Sequence, residues 1–244
     1  MRTGDRTCKD TLSEEQLDRM LAPSEQPRAS LGRVRTGAVI GGFFMLGLRS
    51  VELRHIRTQD IEHDARGEIV AVRIQRSKTP SGIRRMVLNP RCQSLWKRWE
   101  NARKAFLDIR GIESEWFFML IQKAPRIMGV PSDAKPGDQM CHATPYDIMR
   151  RAYATIGITN MGTHTGRRTF ITSLARSPEL QGNPMAAQVL AKAAGHKSCQ
   201  STEPYIRVQQ QEVDAIIMGS GRSQNQRDEV LDLLRKIGDA LTKN

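Results

Sequence analysis

Between Gly162 and Tyr205 the chain gathers residue types suited to work on a phosphate. His164 and Arg167 are three apart, a spacing that places both on one face of a helix, where they can bind the same anion. His196 follows a run of small helix-forming residues, and Tyr205 lies nine positions further on. Cations for phosphate oxygens, a proton carrier and an oxygen nucleophile are what phosphoryl transfer requires. A phosphodiester attacked in line gains negative charge on its non-bridging oxygens. Arginines held in place stabilise that charge more than the ground state, and their planar fork meets two oxygens at once. A tyrosine hydroxyl, with an ordinary pKa of about 10, needs a base or nearby cations to become a nucleophile at neutral pH.

Two further positions are candidates to join this set. In GLRSVELRHI (47–56), Arg49 follows a Gly-Leu corner and precedes a helical turn, and Glu52 three residues later can fix its guanidinium. An isolated R-x-x-E is ordinarily a surface pair. The apolar approach to this one predicts a partly buried arginine, and a buried, held arginine has an anion to meet. Lys78 stands at the lip of a turn, Thr79-Pro80-Ser81-Gly82, between two strand-like segments at 68–76 and 83–88. A lysine on a hairpin tip is ordinarily just solvated and gains a role only if the hairpin leans over a DNA groove.

These residues need a scaffold, and the spacing of apolar positions predicts mostly helices. Thr11–Leu21 reads as a helix with a Ser13/Gln16 capping box, stopped by Pro23. Leu31–Leu48 reads as a buried helix held by close packing, since its glycines at 37, 41, 42 and 47 weaken it in isolation. Pro90–Ile109 carries Leu95, Trp99, Ala102 and Phe106 at helical spacing, a stripe expected in the core. WFFML (116–120) is a buried segment, strand or helix, and 123–138 reads as a long exposed loop. Thr144-Pro145 with Asp147 starts a helix that Gly157 ends. Further helices are expected at about 164–176, at about 184–194 capped by Gly195, and near 200–205. GSGRS (219–223) reads as a flexible joint before an amphipathic helix marked by Val230, Leu234, Ile237 and Leu241. Tyr146 and Tyr153 are expected in the core, and His55 and His63 in solvent.

Lys and Arg total 38 against 26 acidic residues, a net charge of +12 that favours a polyanionic partner, nucleic acid first. The 39% of hydrophobic residues supports a real core. Cys8, Cys92, Cys141 and Cys199 form no C-x-x-C pair, which argues against a zinc ribbon or disulfide framework and suits a reducing cytosol. No apolar run approaches a membrane span, and the first ten residues lack a signal-peptide core, so a cytoplasmic protein without membrane association is expected.

From Thr11 to Val208 the chain resembles the tyrosine recombinases, the phage-integrase family. GLRSVEL resembles the first-arginine motif, QRSKTPSGIRRMVL the β-hairpin bearing a lysine, HTGRRTF the H-x-x-R box, and AGHKSCQSTEPY the last box with its histidine and tyrosine. The resemblance implies a mainly helical α+β catalytic domain with a small antiparallel hairpin sheet. It also implies a catalytic set of Arg49, Lys78, His164, Arg167, His196 and Tyr205, with Glu52 as structural support. The implied reaction is site-specific strand cleavage and religation of double-stranded DNA through a 3′-phosphotyrosyl link, with neither metal nor other cofactor, by a homo-oligomer, a tetramer on two sites. Lys78 would protonate the departing 5′ oxygen, His164 would assist proton transfer at Tyr205, and His196 would hydrogen-bond the phosphate.

The expected organisation is a tail at 1–10, the catalytic domain at 11–222, and a terminal helix at 223–244 that docks either on its own chain or on a neighbouring protomer. With only a short segment ahead of the catalytic part, where many relatives carry a core-binding domain, the chain looks more like the small invertases of fimbrial phase switches. Gly166 and Arg168 stand where the family commonly has leucine and histidine. Gly166 is expected to loosen the packing that aims Arg167, and Arg168 adds charge near the site. Two rival functions share these features: type IB topoisomerase-like relaxation, and a DNA-binding regulator that keeps the fold without the chemistry.

Overall fold

Ser13 opens the first helix. Its hydroxyl accepts from the Gln16 N–H while the Gln16 side chain takes the Ser13 N–H, so α1 (Glu14–Glu25) starts with the capping box expected of it. The computed structural model describes residues 11–75, 83–122, 134–159, 161–180 and 185–195, all within one unit of the chain. Pro23 does not stop α1, contrary to expectation: the helix runs two residues past it. The buried side of α1 continues through Met20, Leu21 and Ser24, and the Ser24 hydroxyl donates to the Leu21 carbonyl at 2.7 Å. Ser24 packs where a Cβ on Gly37 would lie 2.2 Å from its oxygen, so tertiary packing holds the final turn that proline weakens.

α2 (Leu31–Phe44) is the central element, buried along nearly its whole second half from Gly37 to Phe44. It packs against α1, α4 (Pro90–Arg110), α5 (Ala143–Ala154) and α6 (Thr163–Ala175). That burial replaces the intrinsic helix propensity its glycines lack. α4 begins with Asn89 accepting from the Cys92 N–H at 2.8 Å and Pro90 in its first turn, and ends at Gly111 in the left-handed region. Trp96 donates its indole N–H to the Ala38 carbonyl at 3.0 Å, which locks α4 to α2. Leu95 and Trp99 are buried as the stripe predicts, with Ala102 and Phe106 packed at its margin.

WFFML is neither helix nor regular strand. It is an extended segment, fully buried at Phe117–Met119, with single bridges from Trp116 to Arg57 and from Met119 to Gln139. Its backbone polar groups are met partly by neighbouring backbone, with the Phe117 N–H donating to the Ile56 carbonyl at 2.9 Å and the Leu120 N–H to the Asp138 carbonyl at 2.8 Å, and partly by side chains. Trp99 donates to the Phe117 carbonyl at 2.8 Å, and the buried Arg103 donates to the carbonyls of Trp116 (3.0 Å) and Ser114 (2.6 Å). Arg35 of α2 donates to the Met119 carbonyl at 3.2 Å; burial, and then the charge of Arg151, lower its pKa to about 10, so it stays cationic at neutral pH.

The sheet is antiparallel, in the order β1 (Ile61–His63), β2 (Ile69–Gln75), β3 (Ile83–Val87). β2 and β3 form the expected hairpin, with Gln75 opposite Ile83 and Ala71 opposite Val87. β1, too short to show alternation in sequence, adds a strand that the sequence pattern did not reveal. On the exposed face Arg73 stands opposite Arg85. Glu62 of β1 accepts from both, at 2.9 and 2.8 Å, and their hydrogen bonds, that of Arg85 foremost, hold its carboxyl below the usual carboxylate range.

α5 ends at Ala154, with Gly157 in the left-handed region just beyond, as read from the sequence. Tyr153 is buried but Tyr146 is half exposed, correcting the expectation that both are core. Seven residues apart they share a face, but in the first turn of α5 only Pro145 is buried. His55 and His63 are exposed, though not without partners. His55 Nδ1 lies 2.7 Å from the Val51 carbonyl, and His63 Nε2 lies 2.7 Å from Glu100. α7 (Ala186–Ala194) is capped by Gly195 at φ 64°. No helix among the described residues is long and apolar enough to cross a membrane. The segments 123–133, 196–205 and 219–244, with Lys78, His196 and Tyr205, lie outside the described residues; 134–138, the end of the expected loop, is a half-buried turn.

Candidate active site

Arg49 is set by a corner and a cap. Gly47 turns the chain in the left-handed region (φ 60°), and a Cβ there would lie 2.3 Å from Phe170 Cδ1, so the corner is pressed against α6. Arg49 then stands at the N-cap of α3 (Ser50–Arg54). The Glu52 carboxylate accepts the Arg49 N–H at 2.7 Å and its Nη1 at 2.8 Å. Glu52 is buried, so this is a held pair and not a solvated surface contact.

Arg167 approaches from α6. Although it is a cation, its residue is only 6% exposed. Its Nη1 donates to the Gly47 carbonyl at 2.6 Å and its Nη2 to the Ala194 carbonyl. Arg49 Nη2 donates to the adjacent Gly195 carbonyl at 3.4 Å. Two guanidinium groups that are 118 positions apart in the sequence therefore meet at the end of α7. The last carbonyls of a helix have no intrahelical donor and carry partial negative charge, so they attract cations.

The entry to α6 is held separately. Tyr153 donates its hydroxyl to the carbonyl of Gly162, the N-cap of α6, at 3.1 Å, and burial pushes the phenol pKa well above its ordinary value. His164 lies in the first turn of α6 and is exposed, unlike Arg167 one turn later. The two share a helix as expected but differ in depth.

Gly166 corrects an expectation. A Cβ at this position would lie 2.7 Å from Phe43 Cβ and 3.0 and 3.1 Å from the Phe43 carbonyl carbon and oxygen. The missing side chain lets α6 lie against the α2 backbone, so Gly166 tightens the seat of Arg167. Arg168 is half-buried on the same helix.

One residue of the site escaped the sequence reading. Arg84 of β3 has a nearly buried side chain, donating Nη1 to the Ala193 carbonyl at 2.7 Å and Nη2 to Glu52 Oε2 at 3.3 Å. The signal was available in IRRMVL: strict alternation puts Arg84 on the same face as Met86 and Leu88, and a charge on the inward face of a strand needs a partner. Among the described residues no group of three or more His, Cys, Asp or Glu side chains could hold a metal ion.

The model of the phage integrase family matches residues 10–212 of this chain. No curated protein matches it in sequence. Among solved structures it is similar to the XerH site-specific recombinase bound to palindromic difH substrate, at 18% identity and a TM-score of 0.59, over 85% of this chain and 52% of that one. The XerA recombinase is similar at 17% identity and a TM-score of 0.56, over 86% of this chain and 64% of that one. The Tn1549 transposon integrase in complex with transposon right end DNA is similar at 17% and 0.53, over 88% and 67%. The likeness is one of fold: a tyrosine-recombinase catalytic domain. The chain spans about half the length of the XerH protein it matches.

Proposed function

This chain belongs to the phage integrase family, and from that membership we propose that it is a site-specific DNA recombinase. In this reading the Tyr205 phenolate oxygen attacks a backbone phosphorus of double-stranded DNA. The P–O bond to the 5′ oxygen breaks as the 3′-phosphotyrosyl bond forms, and the freed 5′ hydroxyl of a partner strand reverses the step. Bond energy is kept in the covalent link, so no nucleotide or metal is consumed.

The observation that carries the proposal is the meeting of Arg49 and Arg167 at the end of α7, immediately before His196 in sequence. Two anchored guanidinium groups at one point suit the charge of a pentacoordinate phosphorus, and anchoring lowers the reorganisation needed when that charge develops. Glu52 holds Arg49 in orientation. Lys78 protonates the leaving 5′ oxygen, His164 assists proton transfer at Tyr205, and His196 hydrogen-bonds the phosphate. The net charge of +12 supports duplex DNA as partner. A homotetramer on two DNA sites, working in the cytoplasm, completes the proposal.

The test is covalent trapping on nicked duplexes tiled across the DNA flanking the gene. Wild-type protein is expected to form an adduct whose phosphate maps to Tyr205 by peptide mass spectrometry. Attachment at another residue, or noncovalent binding alone on every duplex, removes the recombinase reading. Supercoil relaxation by monomers on DNA without repeated sites would instead mark a topoisomerase.

Within this reading residues 11–222 form the catalytic domain, and the 223–244 segment docks on a neighbouring protomer through Val230, Leu234, Ile237 and Leu241, four apolar residues at helical spacing. Truncation after residue 222 is expected to preserve binding of the first protomer and to weaken assembly of the higher-order complex in a mobility-shift titration. Unchanged assembly disposes of docking between protomers.

A further inference from the structure

We propose that Arg84 is a positioning residue for strand cleavage, acting through Glu52 and the last turn of α7; this rests on the recombinase reading above. Arg84 lies opposite Ile74 in the hairpin, between the exposed Ile83 and Arg85. Its guanidinium bridges two acceptors that belong to different elements: Ala193 O of α7 and Glu52 Oε2 of α3. Glu52 Oε2 also takes the Arg49 N–H, and Glu52 Oε1 takes Arg49 Nη1. One buried carboxylate thus lies between Arg49 and Arg84, with each arginine fixing its rotation.

At the other end of the bridge, three consecutive carbonyls receive three arginines. Ala193 accepts from Arg84, Ala194 from Arg167 and Gly195 from Arg49. Arg49 and Arg167 come from the corner and helix that meet at Gly47, whereas Arg84 comes from the sheet. Arg84 therefore ties β3, α3 and α7 together, and it sets the helix end against which the other two guanidinium groups are aligned. Without it, Glu52 retains, among the described residues, the donors of Arg49 alone, and the Ala193 carbonyl at the helix end loses its cation. The planar fork matters because its two acceptors lie on separate elements; an ammonium offers a point charge on a flexible stem.

A bridge of this kind differs from a buried ion pair that merely stabilises the fold. Misaligning Arg49 by a fraction of an ångström leaves ground-state DNA binding, shared by many cations, nearly intact and reduces stabilisation of the phosphorane. The experiment compares full-length wild type, Arg84→Met and Arg84→Lys on the nicked duplexes above. It measures single-turnover adduct formation at saturating DNA, affinity by mobility shift, and the thermal unfolding midpoint. Arg84→Met is expected to slow adduct formation by roughly tenfold to a hundredfold while affinity changes by less than about threefold, the loss of a charge-assisted buried contact. Arg84→Lys is expected to fall between Met and wild type.

Wild-type cleavage by a folded Arg84→Met protein overturns the proposal, as does an affinity loss that matches the cleavage loss. If Arg84→Met does not fold, Arg84→Lys decides, and cleavage at the wild-type rate then overturns it. Absence of adduct in the wild-type control is a separate result: it removes the recombinase reading, and the positioning role with it.

Discussion

Arg167→Ala is expected to lower single-turnover strand cleavage by about a thousandfold and to destabilise the fold by about 3–5 kcal/mol. The two losses have different origins. The stability term arises because the Arg167 side chain is buried and donates to the Gly47 and Ala194 carbonyls, one on the corner before Arg49 and one at the end of α7. Alanine leaves both acceptors without that donor and leaves a cavity where the side chain packed. The catalytic term arises because the same guanidinium is proposed to face the phosphate.

Arg167→Lys separates the two. It keeps the charge but presents a point ammonium in place of a fork, so stability recovers more than cleavage does. Urea unfolding and adduct formation on nicked DNA provide the two readings. An Arg167→Ala protein as stable as wild type would show that the burial and both carbonyl contacts contribute nothing.

Gly166→Leu, the residue common in the family, is expected to destabilise this protein by about 2 kcal/mol or more. Two effects compete. Replacing a helix-interior glycine gains about 1 kcal/mol of intrinsic propensity. Against that, the new Cβ meets Phe43 Cβ at 2.7 Å and the Phe43 carbonyl carbon at 3.0 Å. The second contact is with backbone inside the buried α2, which cannot swing aside as a flexible side chain would. α6 must therefore move away from α2, and Arg167 moves with it. Gly166→Ala already carries the offending Cβ and is expected to lose stability and cleavage in the same direction. Denaturant midpoints for both variants check the sign, and a gain for either would mean that α6 does not rest on Phe43.

The features legible in the sequence are those decided by neighbours in the chain. The Ser13/Gln16 box, Asn89-Pro90 at the start of α4, Gly195 at the end of α7, and the Arg49–Glu52 pair all join residues no more than a few positions apart. Helical spacing of apolar residues likewise placed α4, strand alternation placed the β2–β3 hairpin, and a run of small and apolar residues marked α2. Errors fell where a distant contact outweighed a local rule. Pro23 should end a helix, but Ser24 is packed at Gly37. Tyr146 lies on the apolar side of α5 in a turn where little is covered. The WFFML segment forms no regular ladder: Trp99 and Arg103 supply donors from another element beside backbone bonds to Ile56 and Asp138.

By itself, then, the sequence determined the helical elements, the hairpin, the positive charge, and an ordered set of arginines, histidines and a tyrosine suited to phosphoryl chemistry. Only the tertiary structure decided that Arg167 is buried, that Gly166 is a contact and not a weakness, and that Arg84 shares Glu52 with Arg49. Arg167 reaches a carbonyl 120 positions away and Arg84 one 109 positions away. Local propensities operate over a few residues and cannot encode such pairings. They arise when close-packed elements leave each buried cation only one arrangement of acceptors.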